Sequence, residues 1–134
     1  MRRLSAALAL AVAALAGCGG SSDVAKAPDR TLRITADEYR LRPQTIEIPA
    51  GGPVRIVLRN AGRLTHNVAV ETYDPPPGVQ PHRYGRSDTA QPGQTVHEQR
   101  PFRLKPGRYR LACLIGNHET LGAYGELRVV KRKK

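Results

Sequence analysis

Three side chains in this sequence could together do chemistry that none could do alone: His66, Cys113 and His118. Four residues, Leu114-Ile115-Gly116-Asn117, separate Cys113 from His118, and His66 lies upstream in Thr65-His66-Asn67-Val68. One thiolate and two imidazoles are the donor set of a trigonal copper site that exchanges single electrons. Taken singly, each residue has a plainer use, because a cysteine on an apolar strand is commonly a small core residue. An isolated histidine is commonly a hydrogen-bonded polar group. The three at these spacings, in the strand pattern that follows, point to one shared metal ion. His82, in a polar loop, and His97, beside Glu98, have no such setting and are expected at the surface.

Donors so far apart in the chain must be brought together by the fold. From residue 31 onward the sequence reads as short strands separated by Pro/Gly turns, with no helical period. Leu32, Ile34 and Ala36 alternate with Arg33 and Thr35, and Val54, Ile56 and Leu58 alternate with Arg55, Val57 and Arg59. Ile46 and Ile48 precede the turn Pro49-Ala50-Gly51-Gly52-Pro53, and Leu127 and Val129 close the set. About seven strands of this spacing predict an all-β two-sheet sandwich over residues 31–131. Tyr109, Leu111 and Cys113 fall on one face, which places the thiol at the inner end of a core strand. Gly116 permits the bend that returns His118 to the same point, and His66 must arrive from another strand. Residues 72–94, rich in Pro, Gly and polar side chains, are expected to form a long loop after the first ligand strand.

Asn67 directly after His66, the run Lys105-Pro106-Gly107-Arg108-Tyr109-Arg110-Leu111-Ala112-Cys113, and Gly122 and Gly125 before a final strand carry a more specific signal. Over residues 31–131 the chain resembles the cupredoxins, plastocyanin-like small copper proteins that carry electrons. The resemblance implies a Greek-key β-sandwich, with His66, Cys113 and His118 as ligands of one copper ion that alternates between Cu(I) and Cu(II). It further implies that Asn67 ties the two ligand loops together and orients the Cys113 sulfur. Such proteins place a methionine a few residues past the second histidine, and here Ala123 stands in that place. The only methionine is Met1. Three outcomes remain open: a three-coordinate site that favours Cu(I); an axial position filled by water, the Thr65 carbonyl or the Glu119 side chain; or weak copper binding.

The N-terminus reads as a targeting segment. Arg2 and Arg3 precede an apolar run from Leu4 to Leu15 that is too short to span a bilayer comfortably. Leu15-Ala16-Gly17-Cys18 closes it and resembles a bacterial lipobox. Residues 1–17 are therefore expected to be a lipoprotein signal peptide and Cys18 the lipidated residue, the alternative being an ordinary secretory signal with Cys18 incidental. Residues 18–30 then form a flexible tether and 132–134 a basic tail. With Cys18 acylated, Cys113 has no disulfide partner, and a lone thiol outside the cytoplasm is exposed to oxidation unless it is buried or holds a metal.

The formal charge of +11 favours anionic lipid or an acidic protein partner. Nucleic acid is not an expected partner, since an exported protein rarely meets it. No Ser-His-Asp arrangement, phosphate-cradling glycine loop or carboxylate pair indicates an enzyme. The expectation is a monomer, lipid-anchored to a bacterial membrane on its periplasmic or cell-surface side. It would exchange electrons with a redox protein through the edge of His118, with Leu114, Ile115 and Leu121 as a docking patch. Two alternatives differ in class: a copper-trafficking module that delivers the ion to an acceptor, and a metal-free domain used for protein contacts.

Overall fold

A computed structural model describes residues 23–134, so the signal segment 1–17 and Cys18 lie outside the described residues. In chain order the strands are β1 (Val24–Lys26), β2 (Thr31–Asp37), β3 (Arg40–Arg42), β4 (Thr45–Pro49), β5 (Pro53–Asn60), β6 (Ala69–Thr72), β7 (Arg83–Arg86), β8 (Thr95–His97), β9 (Phe102–Arg103), β10 (Gly107–Ala112) and β11 (Tyr124–Val130). They form two sheets. One has the spatial order β1-β4-β11-β10-β6-β7; the other is β3-β2-β5-β8, with β9 also pairing with β5. The chain crosses repeatedly between layers, so β2 lies parallel to β5 and β4 parallel to β11. No helix occurs among the described residues.

The period-two pattern is why the layers close. Leu32, Ile34 and Ala36 of β2 and Val54, Ile56 and Leu58 of β5 are buried against Ile46, Ile48, Leu111, Leu127 and Val129 of the other sheet. Arg33, Arg55 and Arg59 point outward from the same strands. Each buried Leu, Ile or Val contributes roughly 1.5–3 kcal/mol relative to exposure. A one-residue register slip would turn the arginines into the core.

Three expectations need correction. Among the described residues the strands number eleven rather than about seven, because β1, β3, β8 and β9 have three residues or fewer and are too short to show a period. The tether does not run to residue 30: Val24, Ala25 and Lys26 pair in parallel with Thr45, Ile46 and Glu47, and Ala27 packs on the core. Edge pairing satisfies those backbone groups without needing an apolar pattern. Residues 72–94 are not one loop, since β7 folds back on β6 across a bulge at Val70/Glu71.

One carboxylate completes a ladder that the strands leave broken. Along β5, Val57–Arg59 pair with β8 and Pro53 and Val54 with β9, so the Ile56 amide falls in the gap. It donates to Oε2 of Glu98 at 2.9 Å, and Oε1 of Glu98 receives Nε of Arg55 at 2.9 Å. Burial opposes ionisation of Glu98, but the backbone amides and the Arg55 charge outweigh it and hold its carboxyl below the ordinary range. On the opposite sheet, hydrogen bonding from Arg108 is the main reason that Glu126 is lowered to about 2.

Glu98→Ala leaves the Ile56 amide without its acceptor and is expected to cost about 1–3 kcal/mol in urea unfolding. Glu126 has a folded pKa below its unfolded value of 4.5, so its contribution is complete above pH 4.5 and is lost as pH falls towards about 2. Glu126→Gln should flatten that part of an acid titration of stability; an unchanged slope would exclude Glu126 as its source.

Candidate metal centre

His66, Cys113 and His118 meet at one end of the sandwich, each held by a different device. Cys113 comes directly after β10, and its amide donates to the Ala123 carbonyl at 3.0 Å, one residue before β11 begins. His118 lies on the connection between these strands. Its amide bonds to the Ile115 carbonyl at 3.0 Å and its carbonyl receives the Ala123 amide at 2.9 Å. Gly116, at φ +48, makes the turn in open space. His66 precedes β6 and is clamped to Ala90 by two backbone bonds of 3.1 and 2.8 Å. Residues 72–94 thus return the chain to hold a ligand.

The donor atoms converge. Sγ of Cys113 lies 3.9 Å from Nδ1 of His66 and 3.7 Å from Nδ1 of His118, and one ligand atom from each residue falls within 4.8 Å of the others. A first-row ion held trigonally, with bonds of about 2.3 Å to sulfur and 2.0–2.1 Å to nitrogen, requires sulfur and nitrogen to be about 3.8 Å apart. The spacing fits. A thiol has a single proton and cannot satisfy two facing imidazole nitrogens as a donor. His66 is fully buried and its Nε2 has no hydrogen-bond partner. Burial, then the neighbouring His118, lowers the pKa of His66, while Glu38 and Asp37 pull the other way. A neutral, dehydrated imidazole beside a buried thiol is a donor set that a soft cation would complete.

Neighbouring side chains fix this geometry. Asn67, only 5% exposed, accepts the Leu114 amide on Oδ1 at 2.8 Å. Asn60, fully buried, donates to the Leu64 and Ala90 carbonyls at 2.7 and 2.9 Å, bracing the His66 segment. Tyr39 sets its ring edge-on to His118, with centroids 5.4 Å apart and an interplanar angle of 76°. Gly122, at φ +126, permits this approach, since a Cβ there would lie 2.7 Å from the Tyr39 carbonyl oxygen. Arg110 of β10 forms an ion pair with Glu119, next to His118.

Several sequence-derived positions can now be located. Ala123 is fully buried and bonded through its backbone to both Cys113 and His118. Glu119, considered as an axial donor, is instead engaged by Arg110 and lies outside the donor cluster. His82 packs against Tyr84 and His97 is exposed; neither joins the cluster. Leu114 and Ile115 are half-buried, whereas Leu121 is 50% exposed. Asn60, Tyr39 and Ala90 escaped the sequence reading. Asn60 alone had a signal, as a polar residue continuing the inward series Val54, Ile56, Leu58.

The sequence pattern of the cupredoxin-like domain matches residues 6–123. No curated protein sequence matches the chain. Among solved structures, the reduced auracyanin of Roseiflexus castenholzii superposes with a TM-score of 0.64 at 17% identity, covering 78% of this chain and 99% of that one. Auracyanin A of Chloroflexus aurantiacus, described as a "blue" copper protein, gives 0.62 at 20% identity over 75% and 98%. Rusticyanin from Thiobacillus ferrooxidans gives 0.54 at 17% identity over 78% and 80%. At these identities the superpositions establish a shared fold.

Asn67→Ala removes the acceptor of the Leu114 amide and is expected to weaken metal binding about 10–100-fold, measured by competition with a chelator. Unchanged affinity would show that the loop holds its shape without Asn67.

Proposed function

Because the chain belongs to the cupredoxin-like domain family, we propose that it is a type 1 copper protein that carries single electrons and is held at a membrane surface by lipid on Cys18. The convergence of His66 Nδ1, Cys113 Sγ and His118 Nδ1 in a buried cluster carries this reading. The description of auracyanin A as a copper protein agrees with it. The sequence Leu15-Ala16-Gly17-Cys18 supports the anchor.

Copper bound there supplies a one-electron couple between its cuprous and cupric states. Cys113 provides the soft thiolate, and His66, kept neutral by burial, offers its lone pair without first losing a proton. Asn67, the Ala123 backbone and the Arg110–Glu119 pair hold the donors in one arrangement, so little rearranges when the charge at the site changes. His118 is 9% exposed while His66 is 0% and Cys113 1%, which makes the His118 edge the route to a partner. Leu121, with the half-buried Leu114 and Ile115, supplies apolar surface for a brief contact. The only methionine is Met1, so no thioether from the domain would be available to a bound copper ion, and a site of Cys113, His66 and His118 without one would favour the cuprous state.

Copper-loaded protein should show an intense thiolate-to-copper absorption band in the visible, and Cys113→Ser should abolish it. Absence of the band in the unaltered protein would remove the electron-carrier reading. Ala123→Met is expected to lower the reduction potential in voltammetry, whereas an unchanged value would mean that another axial donor is already present. Leu121→Glu should slow electron exchange with a redox partner while leaving the band intact; unaltered kinetics would refute the docking patch.

A further inference from the structure

The two outer faces of the sandwich differ in how many of their cations have a carboxylate partner. On the strands of the six-stranded sheet five of six cations reach a carboxylate: Lys26 with Glu47, Arg83 with Glu71, Arg108 and Arg128 sharing Glu126, and Arg110 with Glu119, while Arg86 donates to the neutral Gln99 side chain. The other sheet is matched less fully. Arg33, Arg42 and Arg55 have Asp29, Asp37 and Glu98, but Arg40, Arg59 and Arg103 have no carboxylate in ion-pair range among the described residues. Each of these three alternates with or adjoins a buried core residue, namely Leu41, Leu58 and Leu104, and is itself exposed. Register sets Arg42, Thr35, Arg59 and Thr95 in one row across four strands.

We propose that this sheet face rests on an anionic lipid bilayer, with Arg40, Arg59 and Arg103 meeting phosphate headgroups. Its strands, β2, β3, β5, β8 and β9, carry none of the exposed large apolar side chains, which are Tyr39, Leu64, Val79, Tyr84, Leu121, Tyr124 and Val130. Docking of a protein partner relies on buried aromatic and aliphatic anchors at the centre of the contact. Adsorption to an anionic membrane needs only cations presented within a Debye length of the surface. An open face of separated arginines with threonines between them meets the second requirement and not the first. The inference depends on neither copper nor lipid at Cys18. A protein lying on this face would hold the end with Tyr39 and His118 beside the bilayer, within reach of a membrane-bound partner.

The test maps arginine reactivity in the full chain. The protein is mixed with vesicles of pure phosphatidylcholine or of phosphatidylcholine with phosphatidylglycerol, treated with phenylglyoxal, and analysed by peptide mass mapping. The proposal expects severalfold slower modification of Arg40, Arg59 and Arg103 with anionic vesicles only, reversed by high salt, and no difference at Arg108 and Arg128. Changing Arg40, Arg59 and Arg103 together to Gln should also remove anionic-lipid protection from Arg33 and Arg55, with the circular dichroism of the fold retained. Equal reactivity in both vesicle types, or protection confined to Arg132 in the basic tail, would overturn it. Protection by soluble polyglutamate but not by vesicles would assign the face to an acidic protein and equally overturn the membrane proposal.

Discussion

The bond from the Leu114 amide to the Asn67 side chain joins two segments 47 residues apart, and each partner sits next to a donor. The antiparallel pairing of β6 with β10 ends at the pair Ala69–Ala112. Beyond it the strands part, and main-chain hydrogen bonding between them can no longer set the separation of His66 from Cys113. Asn67 supplies a side-chain rung where the ladder stops. Leaving that part-buried amide without an acceptor would cost up to about 1–3 kcal/mol, so the bond constrains both loops at once.

The rest of the site follows from a gradient of burial. His66 and Cys113 are dry, and His118 alone keeps an edge towards solvent, partly covered by Tyr39. Ala123 binds Cys113 and His118 through one peptide unit on each side, so the ligand loop is closed by its own backbone. Two further elements brace it from outside: Arg110 holds Glu119, and Asn60 with Ala90 holds the His66 segment. A site fixed in this way suits a metal whose charge changes while its neighbours stay in place.

Much of this could be read in the sequence because the relevant signals are local. Alternation of Leu32, Ile34 and Ala36 with arginine and threonine, and of Val54, Ile56 and Leu58 with Arg55 and Arg59, specifies half-buried strands whatever surrounds them. The donor trio was legible because thiol and imidazole are few in the chain. What escaped depends on distant partners. Tyr39 meets His118 across 79 residues with no pattern of its own. Strand β1 exists only because β4 offers it an edge, and β7 is hidden in Pro- and Gly-rich composition that ordinarily marks a loop. Ala90 looks like filler until its backbone is seen to clamp His66.

The central claim is that one thiolate and two imidazoles surround a single soft metal ion, and X-ray absorption at the copper edge of the loaded protein addresses it most directly. The account predicts one sulfur at about 2.3 Å and two imidazole nitrogens at about 2.0–2.1 Å, with no second sulfur. A coordination shell of nitrogen and oxygen alone, without the Cys113 sulfur, would contradict it.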